Sequence, residues 1–375
     1  MEKNHLTYFK VENFKKFDVL EVNDIGQFNL IVGDNNVGKT CLLEALLFDE
    51  DEQQLLNNFY LGLTKRGLKF QIEEITSKVK GVSKSETVYP KLNYFENVFF
   101  ENLKTKSSIV FFYKNIKSLD QKKVSVFQIR PDADYEIIKS HIQFEYNKEN
   151  ELIPLNDLMN QFIHIVINRK IDKVTWIYDY DTEILNFPLV SFNDTPLEEE
   201  TINIYETLRT KQEKEILLNA LKVINNKIVG IDFRGKFNDL ESVFLISYDD
   251  KDDFYPLNYM GDGFKRIFYI ILKMLSLTGK RILIDEIEIG IHHTKIKDFW
   301  VNIFKVAKEL DVQVFATTHS DECIEAFVEA SNEINHDDIR LIQLQADVVD
   351  NKTYASTFKY KNIKAGINSN LKMLG

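Results

Sequence analysis

An α/β fold with short, fully buried strands follows from three features of the sequence. The apolar run Phe28-Asn29-Leu30-Ile31-Val32 ends in a glycine-containing loop and is followed by a helical stretch, Leu42–Phe48. Two further runs, Arg281–Ile284 and Val312–Thr317, lack the alternation of a half-exposed strand and match central parallel strands covered on both faces. Just ahead of them, Phe264–Leu275 is apolar around most of its circumference, as a core helix of such a fold must be.

In chain order, Thr7–Val11, Val19–Val22 and Phe28–Val32 read as strands. Residues 49–105 are mixed and begin with the acidic Asp49-Glu50-Asp51-Glu52. A β-rich stretch follows, with strand-like segments at Ser108–Tyr113, Val124–Ile129, Ile137–Tyr146, Phe162–Ile167 and Val174–Tyr178. Glu198–Asn225 reads as one helix whose apolar stripe is Ile216, Leu217, Leu221 and Ile224, and strand patterning resumes at Ile228–Phe233 and Val243–Tyr248. The alternation points to an insertion at about 191–279 within a lobe formed by about 1–190 and 280–375. The sequence carries no internal repeat, low-complexity linker or sustained heptad, so long coiled-coil arms are not expected.

Composition bounds the function. The 375 residues are 44% hydrophobic and 28% charged, with 14 Gly and 6 Pro, which excludes a collagenous chain or a long disordered tract. The 47 Lys and Arg against 58 Asp and Glu leave a formal charge of −11, which disfavours a broad basic face for duplex DNA. Two distant cysteines, Cys41 and Cys323, exclude a disulfide framework or a Cys-rich zinc site and suit a reducing compartment. The opening residues lack the apolar core of a signal peptide, and the run Phe268–Leu277 is broken by Lys273 well short of the ~20 residues a bilayer needs. A cytoplasmic protein without a membrane partner is the expectation.

The chemistry is concentrated in four places. Gly33-Asp34-Asn35-Asn36-Val37-Gly38-Lys39-Thr40 has the G-x-x-x-x-G-K-[ST] spacing of a Walker A phosphate loop, set between an apolar strand and a helix. Such a loop turns the backbone N–H groups of Gly33, Asn35, Asn36, Val37, Gly38 and the residues through Cys41 toward phosphate oxygens, places the Lys39 charge beside them and offers the Thr40 hydroxyl to Mg²⁺. A chance glycine-rich turn is the competing reading, and the strand-to-helix context argues against it.

Arg281-Ile282-Leu283-Ile284-Asp285-Glu286 then delivers two carboxylates at a strand's C-terminal end, where open α/β sheets bind ligands. Asp285 suits the Mg²⁺ shell, and Glu286 suits the general base that orients the attacking water. Strand-end acids alone are often surface residues, but together with the upstream loop they look like a Walker B strand. His319, in Thr317-Thr318-His319-Ser320 after the adjacent run, is placed to sense a γ-phosphate. Met260-Gly261-Asp262-Gly263 opens the apolar helix; it reads either as a second anion-binding turn through Gly261 and Gly263 or as a cap with Asp262 at the N-cap.

Taken in order, these segments resemble the ABC-type ATPase heads of the SMC, RecF and OLD (overcoming lysogenisation defect) families. Val11-Glu12-Asn13-Phe14-Lys15-Lys16-Phe17 and Leu30–Asn36 resemble the start of those heads, Met260–Gly263 their signature loop, and His319 their switch histidine. Asp285-Glu286-Ile287-Glu288-Ile289-Gly290-Ile291-His292 is similar to the OLD-type Walker B extension. The resemblance spans most of the chain. It implies an ABC-type P-loop NTPase head with a β-rich N-terminal lobe and an inserted, mostly helical signature subdomain. ATP and Mg²⁺ are the implied cofactors, and the nucleotide is sandwiched in a homodimer or higher homo-oligomer in which one subunit's signature loop closes on its neighbour's nucleotide. Gln128, Gln143 and Gln161 all remain candidates for the glutamine that such heads carry.

Only 55 residues follow Ser320, fewer than the ~100 of a Toprim nuclease, so a head without its own nuclease is expected. The resemblance then points to heads that act on a separately encoded effector, several of them in bacterial anti-phage defence. A RecF/SMC-like DNA-repair or DNA-clamping ATPase, with Lys15, Lys16, Lys122 and Lys123 facing DNA, and a non-hydrolysing nucleotide-gated scaffold are the alternatives.

Overall fold

The Phe28–Gly33 strand (β3) is buried at every position because neighbours cover both of its faces and both of its edges. In the computed structural model, which describes residues 4–49, 54, 58, 61–62, 70–73, 89–92, 108–116, 118–129, 141–148, 151–154, 186–191, 198–347 and 352–369, it lies near the centre of a six-stranded sheet. With β10 (Leu189–Val190), β14 (Arg281–Ile284), β15 (Gln313–Thr317), β16 (Ile339–Ala346) and β17 (Thr353–Lys359), the strand order is β10-β14-β15-β3-β16-β17. All neighbouring pairs are parallel except β16 with β17, so the C-terminal ends of β14, β15 and β3 lie side by side.

A second sheet, order β2-β1-β6-β7-β8-β9, is antiparallel throughout: β1 (Leu6–Phe14), β2 (Phe17–Val22), β6 (Ser108–Asn115), β7 (Ser118–Ile129), β8 (His141–Lys148) and β9 (Glu151–Pro154). A hairpin of β4 (Phe70–Glu73) and β5 (Tyr89–Leu92) stands apart in pairing. The first helix, α1 (Lys39–Ala45), starts three residues before the apolar pattern predicts, because the phosphate loop folds directly into it. It stops earlier too: the Leu47 and Phe48 amides turn to i−3 acceptors, Glu44 and Ala45, which tightens the chain out of the α-helix. Phe48 then stacks on Phe9 at 5.2 Å and on Phe111 at 5.9 Å, so the antiparallel sheet clamps the far end of the helix that carries Lys39. Buried polar side chains join the sheets. Gln313 on β15 donates to the Leu6 and Gly26 carbonyls and accepts from the Leu6 amide, leaving neither amide atom of its side chain unsatisfied.

The single helix expected over 198–225 is two, α2 (Glu198–Glu206) and α3 (Lys211–Ile224). Thr210 breaks it as the N-cap of α3: its hydroxyl accepts from the Glu213 amide, and Glu213 answers on the Thr210 amide in a capping box. Thr210→Ala is expected to lower the unfolding free energy by about 1 kcal/mol, read by urea denaturation, without changing the denaturant slope. The hairpin of β11 (Ile228–Phe237) and β12 (Leu240–Tyr248), with β13 (Tyr255–Pro256), follows before α4 (Asp262–Ser276).

Residues of α2, α3, α4 and β12 pack in one apolar cluster with β3, β14, β15, α5 (Ile296–Glu309) and α6 (Asp321–Glu333). Within it, Lys273 of α4 is fully buried and pairs with Glu200 of α2 at 3.0 Å. The chain closes with α7 (Tyr360–Asn368), whose Ile363 is buried in the same cluster. The strands expected at Phe162–Ile167 and Val174–Tyr178 lie outside the described residues, as does Gln161, while Gln128 and Gln143 fall on β7 and β8. No described helix is long and apolar enough to cross a membrane.

Candidate nucleotide site

The loop between β3 and α1 needs glycine at both of its ends. Gly33 has φ +143°, and a Cβ there would sit 2.4 Å from the Leu344 carbonyl oxygen; Gly38 has φ +113°, with the Phe17 ring 2.9 Å from where a Cβ would be. The loop tip, Asp34 to Asn36, is exposed, whereas Val37, Gly38 and Lys39 are buried. Lys16, from the turn between β1 and β2, donates to the Asn36 backbone and side-chain oxygens and steadies the tip. Neighbouring Lys15 pairs with Glu44 on α1.

Lys39 is 5% exposed, and its ammonium donates to the carbonyls of Gly33 at 2.5 Å and Asp34 at 3.0 Å, which holds it over the mouth of the loop. Burial pulls its pKa below the ordinary lysine value, outweighing the attraction of Asp34, Glu286, Asp285 and Glu288. A buried ammonium whose burial outweighs the nearby carboxylates favours an anionic ligand.

Thr40, exposed beside Lys39, places its hydroxyl oxygen 3.3 Å from both carboxylate oxygens of Asp285, a residue 245 positions away that is 4% exposed. The parallel register of β14 and β15 brings Asp285 level with Thr317. The Thr317 hydroxyl donates to Asp285 Oδ1 at 2.7 Å and accepts from the Glu286 amide at 2.8 Å. One hydroxyl thus orients both strand-end acids, a role no motif reveals, because it depends on register between strands.

Glu286 has φ +49°, a left-handed conformation that costs a non-glycine residue about 1 kcal/mol. It directs the side chain toward His319, whose Nε2 is 3.7 Å from Glu286 Oε1. The backbone N–H of His319 donates to Glu288 Oε1 at 3.0 Å. Glu288 therefore fixes the loop that carries the histidine, which gives the acidic repeat after the Walker B pair a local purpose.

The hydroxyl and carboxylate of Thr40 and Asp285 are hard oxygen donors lying together, and no described group of three or more His, Cys, Asp or Glu forms a metal cage. That donor set fits Mg²⁺, which is held by one or two protein oxygens together with phosphates and water. Cys41 is a free, half-buried thiol on α1 just past this set. Burial pushes the other cysteine, Cys323, up to about 12, and its sulfur accepts from the Trp300 indole.

The glycine turn behaves differently from the cap reading. Gly261, not Asp262, is the N-cap of α4, and the Asp262 carboxylate turns back onto Lys265 at 2.7 Å. A Cβ on Gly261 would meet nothing within 4 Å, whereas one on Gly263 would lie 1.9 Å from the Gly290 carbonyl oxygen. Gly263 is thus required by close approach to the turn after Glu286 in its own chain. Gly263→Ala is expected to cost ~1–3 kcal/mol of stability through this overlap, while Gly261→Ala leaves the melting temperature nearly unchanged; differential scanning calorimetry separates the two.

A phosphate loop after one parallel strand, two acids after another and a histidine after the strand between them define an ABC-type P-loop ATPase head of the RecF/SMC kind. The chain belongs to the family described as "AAA domain, putative AbiEii toxin, Type IV TA system", whose model matches residues 28–325. An "ATP/GTP phosphatase" of Helicobacter pylori is 26% identical over 334 residues, covering 84% of this chain and 85% of that protein. An uncharacterized protein of Methanocaldococcus jannaschii is 24% identical over 366 residues, covering 96% and 92%. Among solved structures, an Smc head bound to the C-winged helix domain of ScpA matches with a TM-score of 0.53 at 12% identity, over 95% of this chain and 98% of that one. The Smc head with an extended coiled coil bound to the C-terminal domain of ScpA, from Pyrococcus furiosus, gives 0.54 at 10% identity, over 97% and 99%. At these identities the likeness is one of fold.

Proposed function

We propose that this chain binds MgATP and hydrolyses it to ADP and phosphate, and that an ATP-bound homodimer uses the cycle to hold or release a separately encoded partner protein. The observation that carries the reading is the meeting of Lys39, Thr40, Asp285, Glu286, Thr317 and His319 at the C-terminal ends of β3, β14 and β15. The name of the Helicobacter pylori relative supports a nucleoside-triphosphate substrate, and hydrolysis of ATP against GTP decides the base.

In this reading the amides of Gly33 to Cys41 and the Lys39 ammonium hold the β- and γ-phosphates. Thr40 and Asp285 would hold Mg²⁺, which neutralises charge on the phosphate oxygens when bound. Glu286 takes a proton from a water as that water's oxygen attacks the γ-phosphorus, and the bond to the bridging oxygen of ADP breaks. His319 donates toward the γ-phosphate and, through its approach to Glu286, registers whether that group is present. Gly261 and Gly263 form the turn, in the 191–279 insertion, that meets the nucleotide of the second subunit.

The reported Smc heads bound to ScpA domains support a partner protein as the output, and the toxin in the family description is in keeping with a defence role. A DNA-clamping role draws less support, since Lys15 and Lys16 are tied to Glu44 and Asn36 at the loop.

The test is complementation between subunits. Gly261→Arg fills open space beside α4 and spares the fold, unlike any change at Gly263. Neither Gly261→Arg nor Lys39→Ala alone is expected to turn over ATP. Mixing them creates heterodimers with one intact composite site, so turnover returns. Full activity of Gly261→Arg by itself would show that the turn does not meet a neighbour's nucleotide.

A further inference from the structure

We propose that Arg266 is a positioning residue: from the helix that begins at the Gly261 turn, its guanidinium fixes the backbone of Glu286 and so sets where the Glu286 carboxylate points. The inference rests on the reading of Glu286 as general base.

Arg266 lies three residues after Gly263 on α4 and is only 9% exposed. Its Nη2 donates to the carbonyls of Asp285 at 2.7 Å and Glu286 at 3.1 Å, and Nη1 lies 3.4 Å from the Ser191 carbonyl. Those carbonyls belong to the residues just past the C-terminal ends of β14 and β10, neighbouring parallel strands. A planar fork of donors spans two such chain ends, which a lysine's single ammonium cannot do.

Glu286 stands in a left-handed conformation that its side chain does not favour, so the peptide groups around it must be held. Its N–H is held by Thr317 and its carbonyl by Arg266, with the Ile289 amide as a second donor to that carbonyl. A second contact runs in parallel. A Cβ built on Gly290, itself at φ +79°, would sit 3.2 Å from the Gly263 Cα, so the turn after Glu286 and the start of α4 lie backbone to backbone. A shift of α4 is therefore transmitted to Glu286 through a short charged hydrogen-bond set and a close backbone approach. The arrangement couples the Gly261 turn to the backbone of the reacting acid, so that closure on a neighbouring subunit governs turnover more than nucleotide affinity.

Arg266→Met keeps the length of the stem and removes the fork. It is expected to lower kcat by roughly 10- to 100-fold while the Kd for MgATP stays within about threefold, since a positioning group acts on the transition state rather than on ground-state binding. Because Arg266 acts through Glu286, adding Arg266→Met to Glu286→Gln should produce no further loss. If the two losses multiply, or if affinity falls as far as kcat, Arg266 is not acting through Glu286 and the proposal is overturned.

A second measurement does not depend on hydrolysis. Amide exchange at 285–289 in the nucleotide-free protein should quicken in Arg266→Met while exchange along β15 stays as in wild type. Unchanged exchange at 285–289 overturns the proposal. Absence of turnover in the wild-type protein would instead count against the ATPase reading, and exchange would then decide the role of Arg266 alone. Should Arg266→Met fail to fold, Arg266→Lys, which keeps the charge but not the fork, carries the same comparisons.

Discussion

Replacing Glu286 with Gln is expected to leave MgATP binding within a few-fold of wild type while turnover falls by ~10²–10⁴, the range for loss of a general base. Gln keeps the size and the hydrogen-bonding edge of Glu but cannot take a proton from water. The substitution should also leave the local backbone in place: the left-handed turn at Glu286 is held by Thr317 on its amide and Arg266 on its carbonyl, neither of which touches the side chain. The variant should therefore accumulate with ATP bound, and size-exclusion chromatography with MgATP should show a larger dimer fraction than wild type. The measurement is single-turnover hydrolysis beside equilibrium binding. Turnover that survives the substitution would move the base elsewhere in the site, whereas binding lost together with turnover would assign Glu286 to holding the nucleotide.

How much of this site is readable before folding depends on how local each interaction is. The phosphate loop is legible because its requirements are consecutive: glycines where the chain turns through positive φ, Lys39 and Thr40 immediately after, an apolar strand before. Asp285 and Glu286 are legible because a short apolar run ending in acids is the local trace of a buried parallel strand. The meeting of Asp285 with Thr40 across 245 residues is implied once both strands enter one sheet.

Thr317, Glu288 and Arg266 are different. Thr317 acts because β14 and β15 pair with Ile284 opposite Ala316, Glu288 because the turn after β14 folds back to the amide of His319, and Arg266 because α4 crosses the ends of β14 and β10. Register, a returning turn and helix placement decide the three in that order, and only Glu288 shows beforehand, in the acidic repeat after Asp285-Glu286 and without its role.

Gly263 shows the same limit from the other side. Its type is visible, but its reason, a carbonyl 1.9 Å from where a Cβ would be, belongs to a turn some 27 residues later. The break between α2 and α3 does have a local trace, since Thr210-x-x-Glu213 is a capping box in plain sequence. The apolar stripe of α3 continues the helical pattern across it and conceals the boundary, so periodicity alone gives one helix where capping chemistry gives two.

Lys39→Ala carries the other large effect. The ammonium lies over the phosphate loop, and a charge-assisted hydrogen bond to phosphate contributes roughly 1.5–3 kcal/mol, so affinity should fall at least ~10- to 100-fold and hydrolysis should vanish. Calorimetry on the folded variant measures it, and unchanged affinity would reduce the loop to a structural turn. The same lysine gives a pH signature with opposite signs in two assays. Its pKa is lowered chiefly by burial, so in the ligand-free protein the unfolded chain binds this proton more tightly than the folded chain does. Stability of wild type relative to Lys39→Met should therefore rise as pH climbs through the lowered pKa toward the ordinary lysine value of 10.5. Over that same interval the wild-type ammonium is lost, so MgATP affinity should fall. A wild-type protein whose affinity holds constant to the ordinary lysine range, with no pH-dependent gap in stability from Lys39→Met, would mean that Lys39 is solvated and does not face the phosphates.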